Sequence, residues 1–248
     1  MSTNVTSKSN ISYWKMAENE FRQRRAGLLE DIESREVSDA PFVFAERQTV
    51  THALTRIKLF ELIRDTQGAI VECGVHKGNA LFLYAHLSSI LEPYNFNRRV
   101  IGFDTFEGFR SLHQNDDPMN TESDFSDTSY ERLDLWAKLH DVNRAISQWP
   151  KIELVKGDAT TTIPRYVEEN PHLIISLLYL DFDIYAPTAV ALDNLLPLVP
   201  KGGVVGFDEI NVKRWQGETI ALKEKMSISS VNLRKFYFDA WVSYYIVE

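Results

Sequence analysis

From Ala69 onward, short apolar runs alternate with segments of helical spacing, and this alternation is the strongest constraint on the fold. AIVEC (Ala69–Cys73), RVIGFD (Arg99–Asp104), KIELVKG (Lys151–Gly157), LIISLLYLD (Leu173–Asp181) and GVVGFD (Gly203–Asp208) read as five strands. Helices are expected between them at Gly78–Leu91, Thr128–Ser147, around Thr161–Glu169 and at Pro187–Leu198, with another near Gly217–Met226. On the second of these, Leu133, Trp136, Leu139, Val142 and Ile146 share one face. Repeated strand–helix units imply an α/β fold, a parallel sheet with helices on both faces. Two aromatic runs, Leu233–Phe238 and Trp241–Val247, follow with a short link, which predicts a C-terminal antiparallel hairpin.

Two of the strands end in acid. A parallel sheet places its ligands outside the carboxyl ends of its strands. If Leu173–Tyr185 and Gly202–Asn211 are neighbours, Asp181, Asp208 and Glu209 converge there. Strands lie about 4.8 Å apart, so three carboxylates would repel strongly without a cation among them. The pattern predicts a hard divalent metal.

The first strand runs into Glu72-Cys73-Gly74-Val75-His76-Lys77-Gly78, a turn with two glycines. Glycine lets a backbone turn tightly and approach a ligand closely. The dinucleotide fingerprint requires three glycines, and Glu72 would repel a pyrophosphate while accepting from an ammonium group. The turn therefore suits S-adenosylmethionine. Asp104, ending the second strand, stands where such folds grip ribose hydroxyls. Asp158, after the third, is placed to accept from an adenine amino group.

A net charge of −8 argues against nucleic acid, which needs a basic face. The single cysteine, Cys73, permits no intrachain disulfide. The polar start MSTNVTSKSN lacks the apolar core of a signal peptide, and no apolar run reaches the ~20 residues of a membrane span. The expectation is a cytoplasmic protein with no membrane partner. The first ten residues read as disordered. Tyr13 to about Ser34 is helical but thinly apolar, and Thr49–Arg64 has helical spacing through Val50, Ala53, Leu54, Ile57, Phe60, Leu62 and Ile63. Gly108–Tyr130 is long, acidic and aperiodic: a lid over the site or a solvated insertion.

The blocks ECGVHKG, FDTFEGF, KGDATTTIP, LDFDIYAPT and GGVVGFDEI, in that order, resemble the macrocin O-methyltransferase family of class I S-adenosylmethionine-dependent methyltransferases. The resemblance covers roughly Phe44 to Met226. It implies a Rossmann-like, mostly parallel seven-stranded sheet over residues 46–248, preceded by a partly disordered helical arm over 1–45. It also implies a sugar hydroxyl or other small-molecule hydroxyl as acceptor, a homo-oligomer meeting through its N-terminal helices, and Mg²⁺ on Asp181, Asp208 and Glu209. The family usually has two aspartates after the fifth strand. Here the second is Glu209, one methylene longer.

Two carboxylates, Asp181 and Asp183, are candidates to take the acceptor's proton. Asp183 could instead cap the helix that follows it. Metal-dependent catechol methyltransferases place a lysine where this chain has Ile184, which weakens a catechol reading. His113 is a candidate base or acceptor contact, and Trp215 a candidate sugar platform or core cover. The rival functions are a dinucleotide dehydrogenase on the same sheet and a non-catalytic S-adenosylmethionine-binding or assembly protein.

Overall fold

The computed structural model describes residues 6–30, 32–110 and 112–248, with backbone alone for residues 6–15, 17 and 18. The chain divides into two compact units, residues 1–50 and 51–248. In the first, α1 (Thr6–Leu29) is followed by α2 (Ser34–Asp39) and α3 (Pro41–Phe44). Residues 6–10 are helical where the sequence predicts disorder, and residues 1–5 lie outside the described residues. Pro41 opens α3, a position where its missing N–H costs no helical bond. Arg25 Nε donates to the Phe44 carbonyl at 2.8 Å, and Glu46 pairs with Arg22 and Arg25. Phe21, Leu28, Phe42 and Val43 stay exposed, in keeping with the thin apolar pattern.

Helix α4 (Arg47–Leu62) leads into the second unit, which continues β1 (Ala69–Cys73), α5 (Asn79–Leu91), β2 (Val100–Asp104), α6 (Tyr130–Val142), β3 (Ile152–Lys156) and α7 (Ala159–Glu169). Then come β4 (Ile175–Leu180), α8 (Tyr185–Asn194), β5 (Val204–Phe207), α9 (Gln216–Lys225), β6 (Arg234–Lys235) and β7 (Ser243–Ile246). The seven-stranded sheet has the order β3-β2-β1-β4-β5-β7-β6. Its first five members are parallel, while β7 runs antiparallel to β5 and to β6.

Side chains alternate across a strand, so the sheet has two cores. Ile70, Val100, Leu177, Tyr179 and Val204 pack with Leu59 and Phe60 of α4 and Leu81 and Tyr84 of α5. Val71, Cys73, Ile101, Phe103, Leu178, Leu180 and Phe207 pack with residues of α7, α8 and α9. Both faces are covered, as repeated strand–helix units require.

Two elements differ from their sequence reading. Helix α6 is shorter than Thr128–Ser147 and buries Leu133, Ala137 and His140. Trp136, Leu139 and Val142 of the expected apolar face are exposed, because the spacing 133/137/140 is the one turned inward. The C-terminal hairpin forms, but β6 keeps only two residues. Asp239 breaks the run: its carboxylate is buried and accepts from Thr55 Oγ1 at 2.5 Å and Trp241 N at 2.9 Å. Phe236 then stacks on Phe238 and Tyr244. No helix among the described residues is long and apolar enough to cross a membrane.

Candidate active site

The order of the sheet reverses between β1 and β4, and at such a switch point a crevice opens at the carboxyl ends of the strands. The glycine turn lies there. Gly74 has φ +99°, and a Cβ on it would sit 1.9 Å from the Asp181 carbonyl oxygen. Gly74 N donates to Phe103 O at 2.9 Å and Asp181 N to Cys73 O at 2.8 Å, so the exits of β1, β2 and β4 are laced together. Gly78, φ +80°, precedes α5.

Asp104 has a task that the sequence reading missed. Its Oδ2 accepts from Val75 N and His76 N, both at 2.8 Å, and its Oδ1 from Phe106 N at 2.6 Å. Three of a carboxylate's roughly four acceptor positions thus hold the turn. Asp158 caps α7, accepting from Thr160 N at 2.9 Å and Thr160 Oγ1 at 2.7 Å. Glu72 is 2% exposed and its Oε2 has no hydrogen-bond partner. Burial pushes its carboxyl up to about 8; Arg56 opposes this, while Asp104 and Asp208 add to it.

Strands β4 and β5 are paired neighbours, Leu180 opposite Phe207, and Asp208 N donates to Leu180 O at 3.0 Å. This register brings Asp181, Asp208 and Glu209 together: one oxygen from each lies within 4.8 Å of the others. Octahedral Mg²⁺ with oxygens at about 2.1 Å places neighbouring ligands about 3 Å apart and opposite ones about 4.2 Å apart. The donor set suits one hard cation, which on binding would hold the three oxygens within about 4.2 Å of one another, and Glu209 Oε2 is buried without a partner.

A cation of the chain itself also reaches the cluster. Arg56 of α4 places Nη2 2.9 Å from Asp208 Oδ1 and 3.7 Å from Asp181 Oδ2. The Tyr179 hydroxyl donates to the same Asp208 oxygen. Burial alone would raise Asp208, but Arg56 and then Tyr179 hold it below the usual carboxylate range. Asp181 is raised well above it by burial, then by the charges of Asp208 and Asp183. Glu209 is raised for the same reasons, burial first. Glu218, fully buried on α9, accepts from Glu209 N at 3.1 Å through Oε2, while its Oε1 has no partner.

Asp183 does not cap α8: Ile184 occupies the cap position and no side chain of the cap bonds the helix. Instead Tyr185 N donates to Asp116 Oδ1 at 2.7 Å, a carboxylate from the long acidic loop. Asp183 is 7% exposed, has φ +63°, and shares a hydrogen bond with Glu209. Burial pushes it up to about 7, with Glu209's hydrogen bond opposing.

The loop itself is ordered over its described residues. Asp127 receives His76 Nε2 at 2.7 Å and Lys77 Nζ at 2.5 Å, which hold it down to about 2. Arg214 engages Asn120, the Met119 carbonyl and Asp117. Phe109 and Phe125 pack on Trp215, and Phe125 meets His76 edge-on. The segment ties the glycine turn to the residues after β5, while most of its described residues remain exposed. Trp215 is part of that packing, and His113 stacks on Tyr185. Arg56, Asp116 and Glu218 are the site residues that sequence reasoning missed.

Comparison with known proteins agrees with this architecture. The macrocin-O-methyltransferase (TylF) family pattern matches residues 5–239. A crystal structure of CalS11, a calicheamicin methyltransferase, is 32% identical, with a TM-score of 0.86 over 93% of this chain and 92% of that one. An apo structure of CalS11, described as a TDP-rhamnose 3'-O-methyltransferase, is 31% identical over 93% and 94%, with a TM-score of 0.79. The mycinamicin III 3''-O-methyltransferase of Micromonospora griseorubida is 25% identical over 70% of this chain and 73% of its own length.

Proposed function

The chain belongs to the macrocin O-methyltransferase family and is an O-methyltransferase, and from that premise we propose that it methylates a hydroxyl of a deoxysugar, using S-adenosylmethionine and Mg²⁺. The observation that carries this is the meeting of Asp181, Asp208 and Glu209 from neighbouring strands, beside the glycine turn. The sugar follows from the relatives, which act on TDP-rhamnose and mycinamicin III.

When bound, S-adenosylmethionine would supply a sulfonium methyl and Mg²⁺ would lower the pKa of an acceptor hydroxyl. The protein's part is placement, which contributes much of the rate in a displacement of this kind. Asp181, Asp208 and Glu209 hold the ion. Glu72, through its unpartnered Oε2, accepts from the cofactor's ammonium group or its water. Asp104 would accept a ribose hydroxyl on the capacity left after three backbone amides, and Asp158 would accept from the adenine amino group on the capacity left beside its cap of α7. Gly74 and Gly78 shape the turn. One carboxylate, Asp183 or Asp181, would receive the single proton released by the hydroxyl. Residues 108–130, with Phe109, Phe125 and Trp215, keep water from the reacting atoms.

Incubation of the enzyme with S-adenosylmethionine, Mg²⁺ and a panel of TDP-deoxysugars, read by mass spectrometry, should show a product heavier by one methylene. Excess EDTA should abolish it. Asp208→Ala should abolish it too, while S-adenosylhomocysteine still binds in calorimetry. Full activity in EDTA, or in Asp208→Ala, removes the metal from the mechanism; no methylated sugar across the panel removes the acceptor class.

A further inference from the structure

Asp208 accepts two donors on one oxygen, the Arg56 guanidinium and the Tyr179 hydroxyl. Arg56 comes from α4, away from the strand ends that supply the carboxylates. Its side chain is only 6% exposed. It lies 4.6 Å over the Tyr179 ring, and Nη1 meets His52 Nδ1 at 3.1 Å. A guanidinium so enclosed has exchanged water for this one set of partners.

We propose that Arg56 is a built-in counter-ion: a positioning residue that keeps Asp181 and Asp208 assembled before a divalent ion arrives and then weakens that ion's binding, so that it sets the metal affinity of the site. The inference rests on the metal-dependent reading above. Two opposed effects follow from one charge. Removing one member of a buried pair leaves an uncompensated charge, so the metal-free protein loses stability. Arg56 bonds a carboxylate assigned to the ion, and a +1 and a +2 charge on the order of 6 Å apart repel by about tenfold in affinity even in a water-like dielectric, and more in a drier one. Removing Arg56 relieves that repulsion. A residue that serves only packing would produce the first effect without the second.

The test uses wild type, Arg56→Met, Arg56→Lys and Tyr179→Phe, the last removing a donor to the same oxygen but no charge. Mn²⁺ binding is read by electron paramagnetic resonance, Mg²⁺ by competition, and thermal midpoints with and without Mg²⁺. Arg56→Met should melt lower without metal, gain more from Mg²⁺ than wild type does, and bind Mn²⁺ at least about tenfold more tightly. Arg56→Lys should return toward wild-type affinity, and Tyr179→Phe should stay within about threefold. Arg56→Met binding Mn²⁺ no tighter than wild type overturns the proposal. If that variant folds only with divalent metal, recovery by Mg²⁺ but not by NaCl of equal ionic strength supports it, and failure with both overturns it. Wild type that binds no Mn²⁺ sinks the metal reading itself, which separates the two failures.

Discussion

Replacing Gly74 by alanine separates two explanations of the glycine turn. If the glycine serves only to admit a cofactor, Gly74→Ala should weaken cofactor binding and leave the empty protein intact. The structure predicts otherwise. The added Cβ would lie 1.9 Å from the Asp181 carbonyl oxygen and 2.7 Å from its carbon, both backbone atoms. Relief requires the exit of β4 to move by more than an ångström. That movement disturbs the bonds Asp181 N to Cys73 O and Gly74 N to Phe103 O, each worth about 1 kcal/mol net. A side chain at φ +99° adds about 1–3 kcal/mol of backbone strain. The expected loss is about 3–5 kcal/mol, a fall in the melting midpoint of roughly 10 °C for a domain of this size. Gly78→Ala is the internal control. There the Cβ meets only the ends of the Leu133 and Phe82 side chains, at 3.0 and 3.1 Å, so about 1–2 kcal/mol of strain remains. Urea and thermal unfolding of both ligand-free variants decide the matter. Equal losses, or a loss under about 1 kcal/mol at Gly74, would refute the backbone argument.

Asp104→Ala should weaken S-adenosylhomocysteine binding in calorimetry and also cost about 2–3 kcal/mol of stability, since three turn amides lose their acceptor; weaker binding at unchanged stability would mean that the turn does not depend on this anchor. On α6, Leu139→Glu should change stability by less than about 0.5 kcal/mol while Leu133→Glu costs several, because the first is exposed and the second buried; the reverse ranking in urea titrations would restore the face expected from the sequence. His140 is held neutral by burial, and then by His86, its pKa falling to about 4 from 6.5. Below pH 6.5 the unfolded chain gains a proton that the folded chain refuses, so this residue's contribution is complete above 6.5 and is lost as pH falls toward 4. The loss of melting midpoint over that window should be smaller in His140→Gln than in wild type, and equal losses would exclude His140 as a source.

The five parallel strands were readable because each is a short apolar run ending at or just before a glycine or an acid, and because β4 and β5 announce their ends with Asp181 and Asp208. The faces of the helices were less readable. On α6, Leu133 starts two apolar series, and only contact with the sheet decides for 137 and 140 over 136 and 139. On α4 the apolar series hides the residue that matters. Arg56 shares the buried stripe with Thr55, Leu59 and Phe60, three and four positions apart as neighbours on a helix must be. An arginine inside such a stripe was the signal, and a count of apolar residues passes over it. Asp116 and Glu218 gave no local sign. The first finds its partner 69 positions away at Tyr185, and the second stands in the first turn of α9, where an acid reads as an ordinary complement to the helix N-terminus.

The geometry also limits how far the two halves of the site can vary independently. The Asp104 carboxylate fixes the amides of Val75 and His76 from one side of the glycine turn. From the other side, the backbone of Gly74 lies against the carbonyl of Asp181, the residue whose side chain joins the carboxylate cluster. A shift in the turn is therefore a shift in Asp181, and changes at Gly74 should be felt in both cofactor and metal binding. Arg56 and Glu218 touch the cluster from α4 and α9 instead, at Asp208 and at the amide of Glu209. Neither lies on the turn's backbone. Under the proposed reading, a change at Arg56 or Glu218 acts on the carboxylate cluster without displacing the turn's backbone, although Arg56 also acts on Glu72 through its charge. A change at Gly74, by contrast, displaces Asp181 directly.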